Sequence, residues 1–569
     1  MNTQASPLNR TAVPLRPPET VMRLKRMGSF HHSRLSFMRV LLRNLKTYKW
    51  VFDRPVWRID ENGVGVATYT ATRTTGEPRT YTLVAFAHDL PPEKRSDRVI
   101  AEAWDATFTL FDGVPTEDDI ERLSGNVPLQ EAGRISQSEF SLARANRSVR
   151  LFEHVVDRLA NGEQPDRDEV ERVGYLMRTT AVYGSGKFGA ADRDNWSDRP
   201  EFGGSFRPEL LLVWLVRSFT LDIVEHLAHA RSPETATTID PELRRRFGVG
   251  NSTGLGMAPY LINHPALIHA WINARETALA RVRSLESANE ETASRLQNLL
   301  HRAILNADGW LTESEHLADN VVTLRSDLRR LANHLQDNPP GGFQPWDMLY
   351  RWAEEHLSLE GQEQLVSLLI DAHGPLVDEL AETTSVDEAA FFRIDGSMSV
   401  GKLRRFIEEI YGWALSIPFG EKHARARLWY VSEEKLEPRL AERFEEDLEP
   451  WEQPLAPGRD AAAAYRELDD WDEGKSVAGF LLRHPEHRHI VRRIQIAAKL
   501  PYAEIRDNTI SAEMLPIDLL RCKLSFFGAT KFDPRSDRWV RINMYQGAPF
   551  PHELSETDPD DLFYPPLEA

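Results

Sequence analysis

Between Pro55 and Phe111 the chain is written for strands. The runs PVWRID, GVGVATYTATRT, RTYTLVAFAHDL and VIAEAWDATFTLF are rich in β-branched and aromatic residues. Gly76-Glu77-Pro78 supplies a turn between the second and third. About four antiparallel strands over residues 51–115 form a meander whose apolar face cannot remain bare, so another layer must cover it.

That layer has to be helical. Pro208 suits the first turn of a helix through LLLVWLVRSFTLDIVEHLAHA, and Asp166 opens another that reads to Ala181. A capping box at Ser136 and Glu139 starts a helix that carries Arg144, Arg147 and Arg150 at spacings of three. A long helix is expected from Pro265 to about Leu305, with a partner from Thr312 to about Leu335 in an antiparallel hairpin. Asn338-Pro339-Pro340-Gly341-Gly342 is a linker. The expected fold class is α+β: predominantly helical, with a small N-terminal antiparallel sheet and a second helical region carrying short strands. The divisions are a basic arm (1–50), the meander (51–115), a helical domain with two glycine-rich loops (116–337), a C-terminal α+β domain (343–555) and an acidic tail (556–569).

Composition removes several classes of function. The net charge of −18 argues against nucleic acid as a partner. A lone cysteine, Cys522, excludes an intrachain disulfide, a cysteine-cage zinc site and an all-cysteine iron–sulfur cluster. No run approaches the roughly 18 apolar residues of a transmembrane span, and the first residues lack a secretory apolar region. A cytoplasmic location is the expectation. From Thr20 to Val51 there is no acid but eight bases, a charge pattern that needs acidic company. This arm is expected on an acidic surface of its own chain or of a sister subunit in a homo-oligomer. Ser432–Glu452, with nine acids against three bases, is one such surface.

Two segments break the usual composition of surface loops. The first, Tyr183-Gly184-Ser185-Gly186-Lys187-Phe188-Gly189, can turn successive N–H groups toward an anion, with Lys187 and Arg193 adding charge. It shares Gly-x-Gly-x-Phe-Gly with kinase loops, but no His-Arg-Asp or Asp-Phe-Gly follows, and it lacks the spacing of a Walker loop. The second runs from Gly248 to His264 and brings Asn251, Ser252 and Thr253 together with four glycines, just before the helix at Pro265. Amide and hydroxyl groups there suit a carboxylate, and His264 beside a helix start would be held neutral.

The resulting expectation is an enzyme that moves a proton on a small carboxylate- or phosphate-bearing metabolite, of lyase or isomerase type, without a cofactor. Lys187, Ser252, Thr253 and His264 are the catalytic candidates. Arg144, Arg147, Gly184, Gly186, Arg193, Arg207, Asn251 and Lys402 are the substrate-binding ones. No metal site is assigned, although Asp222, Glu225, His226 and His229 share two helical turns and leave a metalloenzyme as an alternative. A non-catalytic assembly protein is the other.

Overall fold

The structure is a computed structural model that describes residues 12–89, 104–128, 138–179, 199–202, 206–251, 265–310, 315–384, 392–419, 429–431, 438–440, 457–506, 521–536 and 539–557. The meander is present as β1 (Trp50–Ile59), β2 (Gly65–Arg73), β3 (Arg79–Asp89) and β4 (Trp104–Asp112). The sheet does not stop there. It continues through β5 (Glu139–Arg147), β6 (Tyr175–Thr179) and β7 (Gly248–Asn251), while β8 (Trp429–Val431) and β9 (Pro438–Leu440) pair apart from it. Strands β10 (Lys531–Ser536) and β11 (Trp539–Met544) close the large sheet, giving nine strands in the order β1-β2-β3-β4-β5-β6-β7-β11-β10. The sheet is therefore not small, and it is mixed: β6 and β7 run parallel while the other neighbours are antiparallel.

The missed strand β5 explains much of the difference. Leu, Ala and Arg in SLARANR favour a helix locally, yet Ala143 and Ala145 are buried in the sheet with Ala85, Ala87 and Ala106. Small side chains there let a helix lie close, and tertiary packing overrides propensity. A spacing of three on a strand sends Arg144 and Arg147 to opposite faces, so no arginine stripe exists.

Among the helices are α1 (Phe37–Thr47), α2 (Glu117–Asn126), α3 (Phe152–Ala160), α4 (Arg167–Val173) and α5 (Arg207–Arg231). α5 is buried over most of its circumference between the alanine-rich sheet face and α1 and α3. α2 covers the opposite face, where Ile120, Leu123 and Val127 pack on Val84, Phe86 and Phe111. α4 is shorter than the sequence spacing suggests because Gly174, at φ +73°, caps it and hands the chain to β6.

The expected long helix is two: α6 (Pro265–Arg283) and α7 (Glu290–Asp308), with the Asn289 side chain accepting from Thr292 N at 2.7 Å to restart it. α8 (Glu315–Asp337) packs on α7 as the hairpin partner. α9 (Pro345–His356) and α10 (Leu359–Ala372) then join the main core. A second core holds Met398 to Ala503, built by α11 (Val400–Tyr411), α12 (Pro457–Glu467), α13 (Val477–Arg483) and α14 (Arg488–Lys499). After it the chain returns to the main core, where Leu524, Phe526, Ile542 and Met544 are fully buried. No described helix is long and apolar enough to cross a membrane.

Most of the basic arm from Val21 to Leu45 is buried in the molecule. Val21, Met22, Leu24, Met27 and Phe30 are buried, and the arm's cations meet carboxylates of α6 and α10 and of Asp378. Its acidic company is thus in its own chain, and a sister subunit is not needed to account for these charges. Ser432–Glu452 falls mostly outside the described residues, so the other acidic surface has no structural counterpart here.

Candidate functional site

The parallel pair β6 and β7 ends level, with Thr179 opposite Asn251. In sequence, Tyr183–Gly189 follows Thr179 by a few residues, and Ser252–His264, the remainder of the second glycine-rich segment, follows Asn251 directly. Ligands of α/β proteins gather beyond the carboxyl ends of parallel strands because the chain leaves the sheet there in loops. Adjacent strands lie about 4.8 Å apart, so Thr179 and Asn251 end their strands side by side. Gly184, Gly186, Lys187, Arg193, Ser252, Thr253 and His264 themselves lie outside the described residues.

β5 continues past the point where β6 stops. Arg144 is the first β5 side chain beyond Thr179 on its face, directly across from Thr107 of β4. The neighbouring row of that face holds His88 of β3, Asn146 of β5, Arg178 of β6 and Gly250 of β7. Gly250 is required: an added Cβ would lie 2.8 Å from the Tyr175 ring and 3.0 Å from Arg178 Cγ.

His88 is the titratable group of this face that the sequence reading missed. Its Nε2 lies 2.6 Å from Thr107 Oγ1, and its Nδ1 has no hydrogen-bond partner among the described residues. Burial, reinforced by the positive charge of Arg144, pushes the imidazole down to about 4, so it is neutral near pH 7. Alternation within a strand run is the only signal that could have turned His88 to the same face as Arg144. Asn251 and Thr179 are fully buried on the opposite face, toward α5.

The remaining candidates are spread out. Arg147 donates to Glu153 at 2.8 Å, on the way into α3. Arg207, at the start of α5, is buried and bound to Glu382 at 3.0 Å. Lys402 is exposed in the second core, on a helix whose N-terminus Ser399 caps by accepting from Lys402 N at 3.2 Å. The histidine cluster of α5 is committed to structural roles. Asp222 accepts from Arg54 and Tyr69, and Glu225 accepts from Arg244 at 2.7 Å. His226 bridges Trp57 and the Asp60 carbonyl, and His229 bonds its own helix.

A second polar system went unread in the sequence. Glu360, Glu363, Ser367 and Asp371 form one buried stripe along α10 at helical spacing. Arg521 holds Glu360 at 2.6 Å, and Arg16 holds Glu363 at 2.8 Å while also gripping Glu276 at 2.7 Å. Ser29 meets Ser367, and His31 and Arg39 meet Asp371. Burial by itself would raise the Glu363 carboxyl, but Arg16 and Arg275 outweigh it and hold it at about 2. Asp371 is likewise kept well below the usual carboxylate range, burial being overcome by Arg39 and His31. Guanidinium groups bind both oxygens of Glu363 and of Asp371, which suits a lock rather than a binding site.

No family model matches the chain, and no similar curated protein or solved structure was found. The site is therefore defined by its own chemistry: a face with two guanidinium groups and a neutral imidazole, beside the strand ends Thr179 and Asn251, which in sequence precede segments rich in glycine, lysine and hydroxyl groups.

Proposed function

We propose that this chain is an enzyme acting on a small anionic molecule bearing a carboxylate or phosphate, by proton transfer of lyase or isomerase type. The observation that supports the reading is the pairing of Thr179 with Asn251, the strand-end residues that precede the two glycine-rich segments in sequence. In this reading Lys187, Arg193 and Arg144 hold the anion. Ser252, Thr253 and His264 serve the reacting centre, and His88 adds an imidazole that stays unprotonated at neutral pH, while Asn251, buried on the other face, supports the strand end that leads to Ser252.

A thermal-shift panel of carboxylates, phosphates and nucleotides tests it. At least one anion is expected to raise the melting temperature of the native chain, since a ligand at about 100 times its Kd adds about 2.7 kcal/mol. Lys187→Ala and Ser252→Ala are expected to abolish that rise, and the turnover of the same compound, while melting like the native chain without ligand. A panel without a responder, or variants that keep the full response, would overturn the proposal.

A further inference from the structure

In the second core, His484-Pro485-Glu486-His487 forms the tight turn between α13 and α14. The donor atoms of His484, Glu486 and His487 all lie within 4.8 Å of one another, the group of this kind found among the described residues. His484 Nδ1 stands 3.5 Å from Glu486 Oε1 and 3.8 Å from an oxygen of Glu467, the last residue of α12.

These separations are informative. A charge-assisted hydrogen bond closes to about 2.7–2.9 Å. Donors on one tetrahedral zinc, each about 2.0–2.2 Å from the metal, stand about 3.3 Å apart. The distances at His484 match the second spacing better than the first. We propose that His484, Glu486 and His487 form a binding site for a divalent transition metal of the zinc class, with Glu467 in reach as a fourth ligand.

The ligands are held in place before any ion arrives. Both imidazoles stack on the fully buried Phe480, with ring centroids at 5.0 Å for His484 and 5.9 Å for His487. Trp471 packs edge-on against both Phe480 and His484. Pro485 fixes the backbone between the donors, and His487 N bonds the His484 carbonyl at 3.2 Å. His489, two residues on, is engaged by Asp460 at 2.9 Å and is not part of the set. Glu486 also lines a groove of about 610 Å³ that runs past Arg488 and Arg492 to Pro265 at the start of α6. An ion here ties the end of α12 to the α13–α14 turn at the rim of that groove.

The test is zinc titration of the full-length, untagged, chelator-stripped chain by calorimetry, with cobalt absorption to report coordination. One equivalent is expected to bind with a Kd below about 1 µM. His484→Ala and His487→Ala are each expected to weaken binding by at least about 100-fold, while His489→Ala binds as the native chain does. His487 is part of the core, so Glu486→Gln, which removes an exposed donor, is the variant that separates ligation from folding. With a native circular-dichroism melt it should still lose about 10-fold or more. No stoichiometric uptake by the native chain, or native affinity in Glu486→Gln and His484→Ala, would overturn the site.

Discussion

Arg39 donates Nη1 and Nη2 to the two oxygens of Asp371 at 2.7 and 2.8 Å, and both side chains are completely buried. The two residues are far apart in sequence, so this bond fastens the N-terminal arm to α10. Two opposite charges inside the protein cost much to desolvate, and removing one strands the other. Asp371→Ala is expected to destabilise the chain by about 3–5 kcal/mol. Denaturant unfolding measures the loss, and limited proteolysis should cut first between residues 12 and 36. An arm that stays protected in this variant would show that the apolar contacts of Val21, Leu24 and Phe30 hold it alone.

Stability should fall with acid in two stages. His88 has a folded pKa of about 4, below its unfolded value of about 6.5. The unfolded chain then binds more protons, so this contribution is complete above pH 6.5 and is lost progressively down to about pH 4. Glu363, held at about 2, contributes stability that is complete above its unfolded value of about 4.3 and is lost as the pH falls toward 2. Melting temperatures across pH 7 to 2 should show both declines. His88→Asn should flatten the first and Glu363→Gln the second.

Gly250 has no room for a side chain. Gly250→Ala places a methyl group against the Tyr175 ring and should cost about 1–3 kcal/mol, together with any anion response that depends on β6 and β7 ending level. Gly125, in α2, has nothing within 4 Å of an added Cβ. Gly125→Ala should instead stabilise by about 0.5–1 kcal/mol. Equal effects of the two substitutions in denaturant titrations would contradict the strand register at Gly250.

Arg144 and Arg147 should separate sharply. Arg147 makes a partly exposed ion pair with Glu153, so Arg147→Ala should change stability by less than about 1 kcal/mol and leave ligand binding unchanged. Arg144 is buried on the face shared with His88. Arg144→Met should weaken binding of the responding anion at least about tenfold, the scale of one charged hydrogen bond. Similar losses from both would restore the single arginine stripe of a helix.

Periodicity was enough to read β1 to β4, the 25-residue α5 and the α7–α8 hairpin, because each repeats one pattern over many residues. The stop at Gly174 was not read, because a helical spacing that runs on to Ala181 hides a glycine whose left-handed conformation only the turn into β6 requires. Charge counting also said that the arm needed acids. What it could not say was which ones: Glu276, Glu363 and Asp371 lie hundreds of residues away, and their selection depends on how α6 and α10 pack. The strands β5, β6 and β7 are short or alanine-rich, so their local preferences are weak and the sheet they join decides their conformation. The same holds for the site. Glycines, lysine and hydroxyls marked two segments as unusual from composition alone. The pairing of Thr179 with Asn251 across two parallel strands brings together the residues that precede them in sequence, and a pairing of residues so distant in the chain exists only once it has folded.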